Sequence, residues 1–500
     1  MDNIDADLAA LQEARTLGRQ AREAAGIFCA VDAEAAWVIA SKVAQACVER
    51  AEHYAEWAVR ESGIGNKKDK IIKNRRACTD LLDYYKSTSL GGVVVDHERN
   101  LISIGRPAGV VMGLVPSTSP IAALFFKSLA CLMTRNALIL SPHPKARECS
   151  IDAARFVARA AEMAGAPRNA IQIHTRPTLE ATRALMSSRD VDLILATGGG
   201  AMVRAAYSSG TPAIGVGPGN VPVYVDATAD VARAASDLVV SKDFDHGSPC
   251  SSPTAVIAEK SIADALISRM KAEGSHFCSE DELRALEAFA FPHDHLNAEI
   301  VGKPAEWIAE HAGIAVPKGT RILVGTFVGA ATDSPMQREK LSPILGFVIG
   351  NGFKDAVEVA RGILARSGAG HTAGISTSDP DAAFNWGVAL DVNRVVVNQP
   401  TAMGAIGAGN GLAPTFTIGT GFAGRSSLGE NAGPQHLINW KRVAYPSGSP
   451  LPGFARQQKR TTPAAQDGRS ESSQATPDIK QLVDLIVGET FAELGTTERA

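Results

Sequence analysis

From residue 109 to residue 227 the chain alternates short apolar runs with stretches of helical periodicity. GVVMGLVP, NALILSPHP, AIQIHT, VDLILATGGG and GNVPVYVDA read as strands. SPIAALFFKSLACLMTR, ARECSIDAARFVARAAEMAG, LEATRALMSS and AMVRAAYSSG, which lie between them, read as helices. Strands that are apolar on both faces and joined by helices find cover on both sides in a parallel sheet. A second block begins with a helix at about 231–240. It contains the strand candidates TAVIAEK, TRILVGTF, ILGFVIG, AGISTSD and NRVVVNQ. The reading is α/β, with two parallel-sheet domains. The length of 500 residues fits two or three domains of about 100–200 residues each.

The flanks read differently. Residues 23–85 are helical, and VVVDHERNLISIGR reads as a hairpin or an extended arm. Residues 447–476 are rich in Ser, Pro, Gln and charge, which predicts a disordered linker. The linker ends in a predicted helix, 477–494, with Pro477 at its first position and Ile479, Leu482, Val483, Ile486 and Leu494 on one face. Such a stripe either binds a partner or docks on the chain's own body.

Several function classes are set aside by composition. The net charge of −3 offers no basic field for nucleic acid, and aromatic residues are only 5% of the chain. No apolar run reaches the ~20 residues of a membrane span, and the N-terminal stretch lacks a secretory pattern. Seven cysteines, scattered and without a CxxC pair, predict neither a disulfide framework nor a zinc site. A reducing cytoplasm is the expected location.

Chemistry is expected at the strand ends. Candidate turns are 115–120 (VPSTSP), 197–200 (TGGG) and 215–220 (GVGPGN). Glycine there lets backbone N–H groups approach a pyrophosphate. The stretch DFDHGSPCSSP, 243–253, places Cys250 in a loop flanked by Pro and Gly, where a thiol can serve as a nucleophile as well as filler. A free thiol with pKa ~8.5 needs local help to ionise. His246 is either that helper or an ordinary loop histidine. His293 and His295 have no third ligand nearby, so no metal is expected. KKDKIIKNRR, 67–76, reads as a solvated helix face rather than a polyanion site.

The motifs VPSTSPIAALFFKSL, SPHP, LILATGGG, AIGVGPGN, SKDFDHGSPCSS, EKLSPIL, AGHTAGI and GENAGPQHLINWKRVAY, in this order, resemble the CoA-acylating aldehyde dehydrogenases. The similarity extends to the aldehyde half of bifunctional aldehyde–alcohol dehydrogenases and to acylating sulfoacetaldehyde dehydrogenase. It implies the aldehyde dehydrogenase fold: two Rossmann-like parallel-sheet domains plus an oligomerisation arm. The implied domains are 1–230 for NAD, with the arm at about 91–106, 231–430 for catalysis, and 431–446 as a return segment. Cys250 becomes the implied nucleophile, with Thr118 in the oxyanion hole. Pro116, Ser141, Pro142, His143, Thr197, Gly198, Gly199, Gly215 and Glu339 become the implied cofactor residues, and His371 an active-site residue of open role.

Hydrolytic relatives carry a water-activating Glu in the loop that here reads AIGVGPGN, about where Gly215 falls. Its absence implies transfer of the acyl group to coenzyme A, since general-base help is worth ~10²–10⁴-fold. The substrates expected are a small aldehyde, NAD and coenzyme A, in a homodimer or tetramer. Residues 404–424, also Gly-rich, belong by resemblance near the coenzyme A side or simply form a loop-rich domain end. The tail resembles the encapsulation peptides of bacterial microcompartments, which implies a shell or cargo protein as partner of 477–494 and a microcompartment lumen as location. A hydrolytic dehydrogenase, an acylating sulfoacetaldehyde dehydrogenase, and a non-catalytic protein acting through its tail are the alternatives.

Overall fold

The computed structural model describes residues 5–329 and 333–454. These form two units. The larger holds the described residues up to Val93 together with Ile104–Lys441, and the smaller holds Val94–Ser103 with the described residues from Arg442. The predicted helix 477–494 and most of the predicted linker lie outside the described residues.

The larger unit opens with four helices: α1 (Ala6–Phe28), α2 (Ala33–Glu49), α3 (Ala51–Ser62) and α4 (Lys67–Tyr85). Asp32 and Asn66 start α2 and α4 by accepting backbone N–H groups of the first turn, so both helices begin where the sequence supplies a cap. The predicted arm is β1 (Gly92–Asp96) and β2 (Leu101–Pro107).

The alternating region then folds as β3 (Val110–Leu114), α5 (Pro120–Met133), β4 (Ala137–Ser141), α6 (Arg147–Ala164), β5 (Ile171–Ile173), α7 (Leu179–Met186), β6 (Leu193–Thr197), α8 (Gly200–Tyr207) and β7 (Ala213–Val216). These five strands make one sheet in the order β5–β4–β3–β6–β7, with every pair parallel. Each residue of β3, β4 and α5 is buried, as expected of a sheet covered on both faces. Strand order reverses between β3 and β6. A crevice therefore opens beyond their C-terminal ends, where such sheets take their ligands.

The second sheet contains β8 (Val221–Val225), β9 (Pro253–Glu259), β10 (Ser275–Phe277), β11 (Ile322–Thr326), β12 (Ile344–Gly350), β13 (Ala373–Ser376) and β14 (Val395–Val397), in the order β10–β11–β12–β9–β8–β13–β14. Its pairs are also all parallel. Here the structure differs from the sequence reading. The GNVPVYVDA run, read as part of the first block, pairs with β9 and β13. By sheet membership the chain crosses over in the GVGPGN turn, ahead of the expected division at 230–231. A fully buried apolar strand looks the same in either sheet, and its hydrogen-bond partners lie far along the chain. Helix α9 (Val231–Asp243) follows β8, and β15 (Ile438–Ala444) joins β1 and β2 in a three-stranded sheet of order β1–β2–β15.

Candidate active site

A cleft of about 440 Å³ runs past the ends of β3, β4 and β6. Pro116 and Thr118 line it after β3, His143 after β4, and Thr197, Gly198 and Gly199 after β6. Cys250 and Glu339 lie on the same wall. Gly199 is the residue before α8, and a Cβ placed on it would meet nothing within 4 Å, so the helix N-terminus faces open space. An unobstructed helix start beside the reversal of strand order fits the pyrophosphate of a dinucleotide. Ser141, Pro142, Gly215 and His371 are not on the wall.

Cys250 and His371 meet behind that wall. The His371 Nε2 lies 3.3 Å from the Cys250 Sγ. Burial, reinforced by the Glu339 charge, pushes the thiol up to about 12. Burial and the nearby Arg394 pull His371 down to about 3. Both causes favour the neutral pair, a thiol facing an unprotonated imidazole, over thiolate and imidazolium. Arg394 is itself buried and holds the surroundings together: it donates to the carbonyl oxygens of His371, Gly419 and Gly429. Through Gly419 this network fixes the end of the Gly-rich 404–424 segment.

The Cys250 loop and the GVGPGN turn touch. A Cβ on Gly219 would overlap the Cys250 carbonyl oxygen, so only glycine fits there. The Gly219 N–H donates to Glu339 Oε1 at 3.1 Å. Burial raises Glu339 to about 8 and lowers the neighbouring Lys242 to about 7, so burial works against the charged form of each. At Gly215 an added Cβ would come within 2.7 Å of Val203 Cγ1 and 2.8 Å of a Tyr207 ring carbon. A side chain at that position would point into α8 and not into the cleft. A glutamate there therefore requires α8 to move.

The expected solvated face of 67–76 holds for Lys67, Lys68 and Arg75, which are exposed, but not for Lys70 and Lys73. Lys70 and Lys73 on α4 are 2% and 3% exposed, and both reach the carboxylate of Asp245, which is fully buried. Burial works against the Asp245 charge, but Lys70, Lys73 and the surrounding donors outweigh it and hold the carboxyl below its ordinary range. Lys70 is lowered by burial to about 8, with Asp245 opposing. The buried face of α4 runs Lys70, Lys73, Asn74, Ala77, Cys78, Leu81, Tyr85 at three- and four-residue spacing. The two lysines continue an apolar stripe, and that continuity was the available signal.

The model of the aldehyde dehydrogenase family matches residues 5–412. The chain belongs to the aldehyde dehydrogenase family. It is 42% identical over 397 residues to an aldehyde–alcohol dehydrogenase of Streptococcus pneumoniae, covering 77% of this chain and 45% of that one. The chain thus spans about half the length of the bifunctional relatives it matches. It is 35% identical over 410 residues to the acetylating succinate-semialdehyde dehydrogenase of Clostridium kluyveri, covering 82% of this chain and 90% of the relative. Among solved structures, an acetylating aldehyde dehydrogenase of Geobacillus thermoglucosidasius superposes with a TM-score of 0.87 at 39% identity, over 90% of this chain and 100% of that one. A propionaldehyde dehydrogenase from the fucose utilisation microcompartment of Clostridium phytofermentans superposes with a TM-score of 0.80 at 29% identity, over 86% and 97% of the two chains.

Two further groupings were not expected, one beside the cleft and one away from it. Lys127 on α5 is fully buried, with its Nζ 2.7 Å from Thr197 Oγ1 and 3.2 Å from Thr417 Oγ1, so an aldehyde dehydrogenase chain here ties its glycine turn to the 404–424 segment. Burial lowers this amine to about 7. His246, the other candidate helper, is not on the cleft wall, and burial lowers it too. Among the described residues, His276, Cys278 and Glu282 bring one ligand atom each to within 4.8 Å of one another. Glu282 is already engaged there as the third residue of a capping box, accepting from Ser279 N–H, which explains the grouping without a metal.

Proposed function

We propose that this chain oxidises a short aldehyde to the corresponding acyl-CoA, reversibly, with the acyl group carried on Cys250 and NAD as the hydride acceptor. The observation that carries the reading is Cys250 on the cleft wall with a neutral His371 ring nitrogen 3.3 Å from its sulfur. NAD, when bound, supplies the acceptor for the hydride. Gly198 and Gly199 would take its pyrophosphate, His143 its adenosine side, and Glu339 its nicotinamide ribose.

The remaining steps belong to this chain's own groups. The Cys250 Sγ bonds to the aldehyde carbon while its proton moves to His371 Nε2. The new oxyanion is held by Thr118 and the Cys250 backbone N–H. Loss of hydride from that carbon turns the thiohemiacetal into a thioester. The thiolate of coenzyme A then adds to the thioester carbonyl, and the Cys250 sulfur leaves and regains a proton. Water competes poorly. Glu339 is the one carboxylate on the wall among the described residues, and it is held by Gly219 N–H and kept protonated by burial. A thiol nucleophile needs less proton transfer than water does, so the missing base costs coenzyme A little.

The test is product analysis with acetaldehyde, propionaldehyde and sulfoacetaldehyde. Without coenzyme A, one equivalent of NADH per Cys250 is expected, and then turnover stops. With coenzyme A, turnover continues and acyl-CoA accumulates. Sustained NADH formation and free acid without coenzyme A would reject the reading.

The tail is read separately. We infer that 477–494 binds a microcompartment shell or cargo protein, and that the β1–β2 arm joins subunits of a homo-oligomer. Deleting 447–500 should leave kcat unchanged and abolish co-sedimentation with assembled shells. Co-sedimentation that survives the deletion would end the targeting idea.

A further inference from the structure

The Lys70–Lys73–Asp245 cluster does more than balance charge. The Lys73 Nζ donates to the Thr118 carbonyl at 3.2 Å and to Ser119 Oγ at 2.7 Å, as well as to Asp245. Lys70 donates to the same Thr118 carbonyl at 3.0 Å. Ser119 immediately precedes α5, yet its hydroxyl does not cap that helix, and it accepts from Lys73 instead. On the other side, Asp245 accepts from the Ser248 hydroxyl at 2.9 Å, two residues before Cys250. Asp245 and His246 have φ of 49° and 53°, and Gly247 follows at 66°. Three left-handed residues in a row reverse the chain sharply, a conformation costing roughly 1–3 kcal/mol per non-glycine residue. The backbone N–H of Asp245 donates to Asp69, and its carboxylate accepts the Asn66 N–H, so the first turn of α4 holds the reversal in place.

We propose that Lys73 is a positioning residue that locks the Pro116–Ser119 loop against the Asp245–Cys250 loop, and so sets the distance between the Thr118 oxyanion donor and the nucleophile. The proposal rests on the Cys250 reading above. Lys73 is on the cleft wall. Its three N–H bonds are nevertheless all spent on protein acceptors, so it acts on substrate through Thr118 and Ser119 and does not bind it directly. The same ammonium also lies close enough to favour the Cys250 thiolate.

The experiment compares wild type, Lys73→Met, Ser119→Ala and the double variant by single-turnover NADH formation without coenzyme A. Lys73→Met should slow the burst about 10–100-fold, the size of effect that a misplacement of ~1 Å produces. The NAD dependence should stay unchanged, since the glycine turn is untouched. The rate of Cys250 alkylation by iodoacetamide at a fixed pH of 8 should fall, because a cation beside the thiolate is gone. A burst rate within twofold of wild type with an unchanged alkylation rate at pH 8 would overturn the proposal, whatever happens to Tm. Ser119→Ala keeps the ion pair and should fold normally. Its burst should slow several-fold, and the double variant should be no slower than Lys73→Met alone. A Ser119→Ala burst equal to wild type, or fully additive losses, would equally overturn it. Failure of the Cys250 reading is distinguishable, because it would show as no acyl adduct on Cys250 in the wild type.

Discussion

Cys250→Ala is expected to lower acyl-CoA formation by about 10⁴-fold or more, the scale seen when a covalent nucleophile is removed from an intact site. The protein has seven free cysteines, and their environments separate them. Cys47, Cys78, Cys131 and Cys149 are buried, Cys29 is exposed, and Cys278 is partly buried away from the cleft. Only Cys250 is on the cleft wall and within reach of a histidine nitrogen. Wild type incubated with aldehyde and NAD should therefore gain a single acyl mass located on the Cys250 peptide, and Cys250→Ala should gain none. The variant should keep its NAD affinity, because the Gly198–Gly199 turn does not depend on the thiol. An acyl group found on Cys29, or a variant that retains even a hundredth of wild-type turnover, would remove Cys250 from the mechanism. The high thiol pKa makes the result informative: in the resting site the thiol is protonated, so a nonspecific adduct would favour the exposed Cys29.

Some of this site is readable in the amino-acid order, and the reason is local. Cys250 declares itself because Pro and Gly on both sides exclude a core strand or helix. The turns after β3 and β6 declare themselves because an apolar run, a small polar turn and a helix follow one another within a few residues. The parallel sheets follow from the same alternation. What could not be read depends on contacts between distant positions. Asp245 and Lys73 are 172 residues apart, and nothing near either one names the other. The basic run at 67–76 looks solvated when read alone, and only the fold turns one face of α4 toward the Cys250 loop. His371 is legible only by resemblance, since the stretch GHT carries no signal of its own until the fold sets His371 against the thiol. The direction of a side chain at Gly215 is not legible in AIGVGPGN either, because only the pleat of β7 turns that position toward Val203 and Tyr207. The sheet that β8 joins was likewise hidden, because burial pattern does not identify a partner strand.

The largest stability effect is expected at Asp245. Asp245→Ala leaves two buried ammonium groups without their counter-charge, a change that costs about 3–5 kcal/mol when one partner of a buried ion pair is removed. Lys70 limits the loss. Burial already lowers it to about 8, and without Asp245 it falls further and sheds its proton. Lys73 keeps acceptors in Thr118 and Ser119, so part of its interaction survives. The left-handed backbone at Asp245 would remain, keeping its N–H bond to Asp69 but losing the bonds its carboxylate accepts from Asn66 and Ser248. Chemical denaturation at pH 7 should show the loss directly, and adding Lys70→Met to Asp245→Ala should recover part of it, since an apolar side chain of similar length replaces an uncompensated charge. The pH dependence has a definite sign. The folded carboxyl lies below its ordinary value of 3.8, so the stability it contributes is present above that pH and is lost as pH falls through the folded value. The gap between wild type and Asp245→Ala should therefore be full at pH 7 and narrow in strong acid. A gap that stayed constant down to the lowest pH at which the wild type folds would mean that the carboxylate charge contributes nothing, and that α4 holds the Cys250 loop by packing alone.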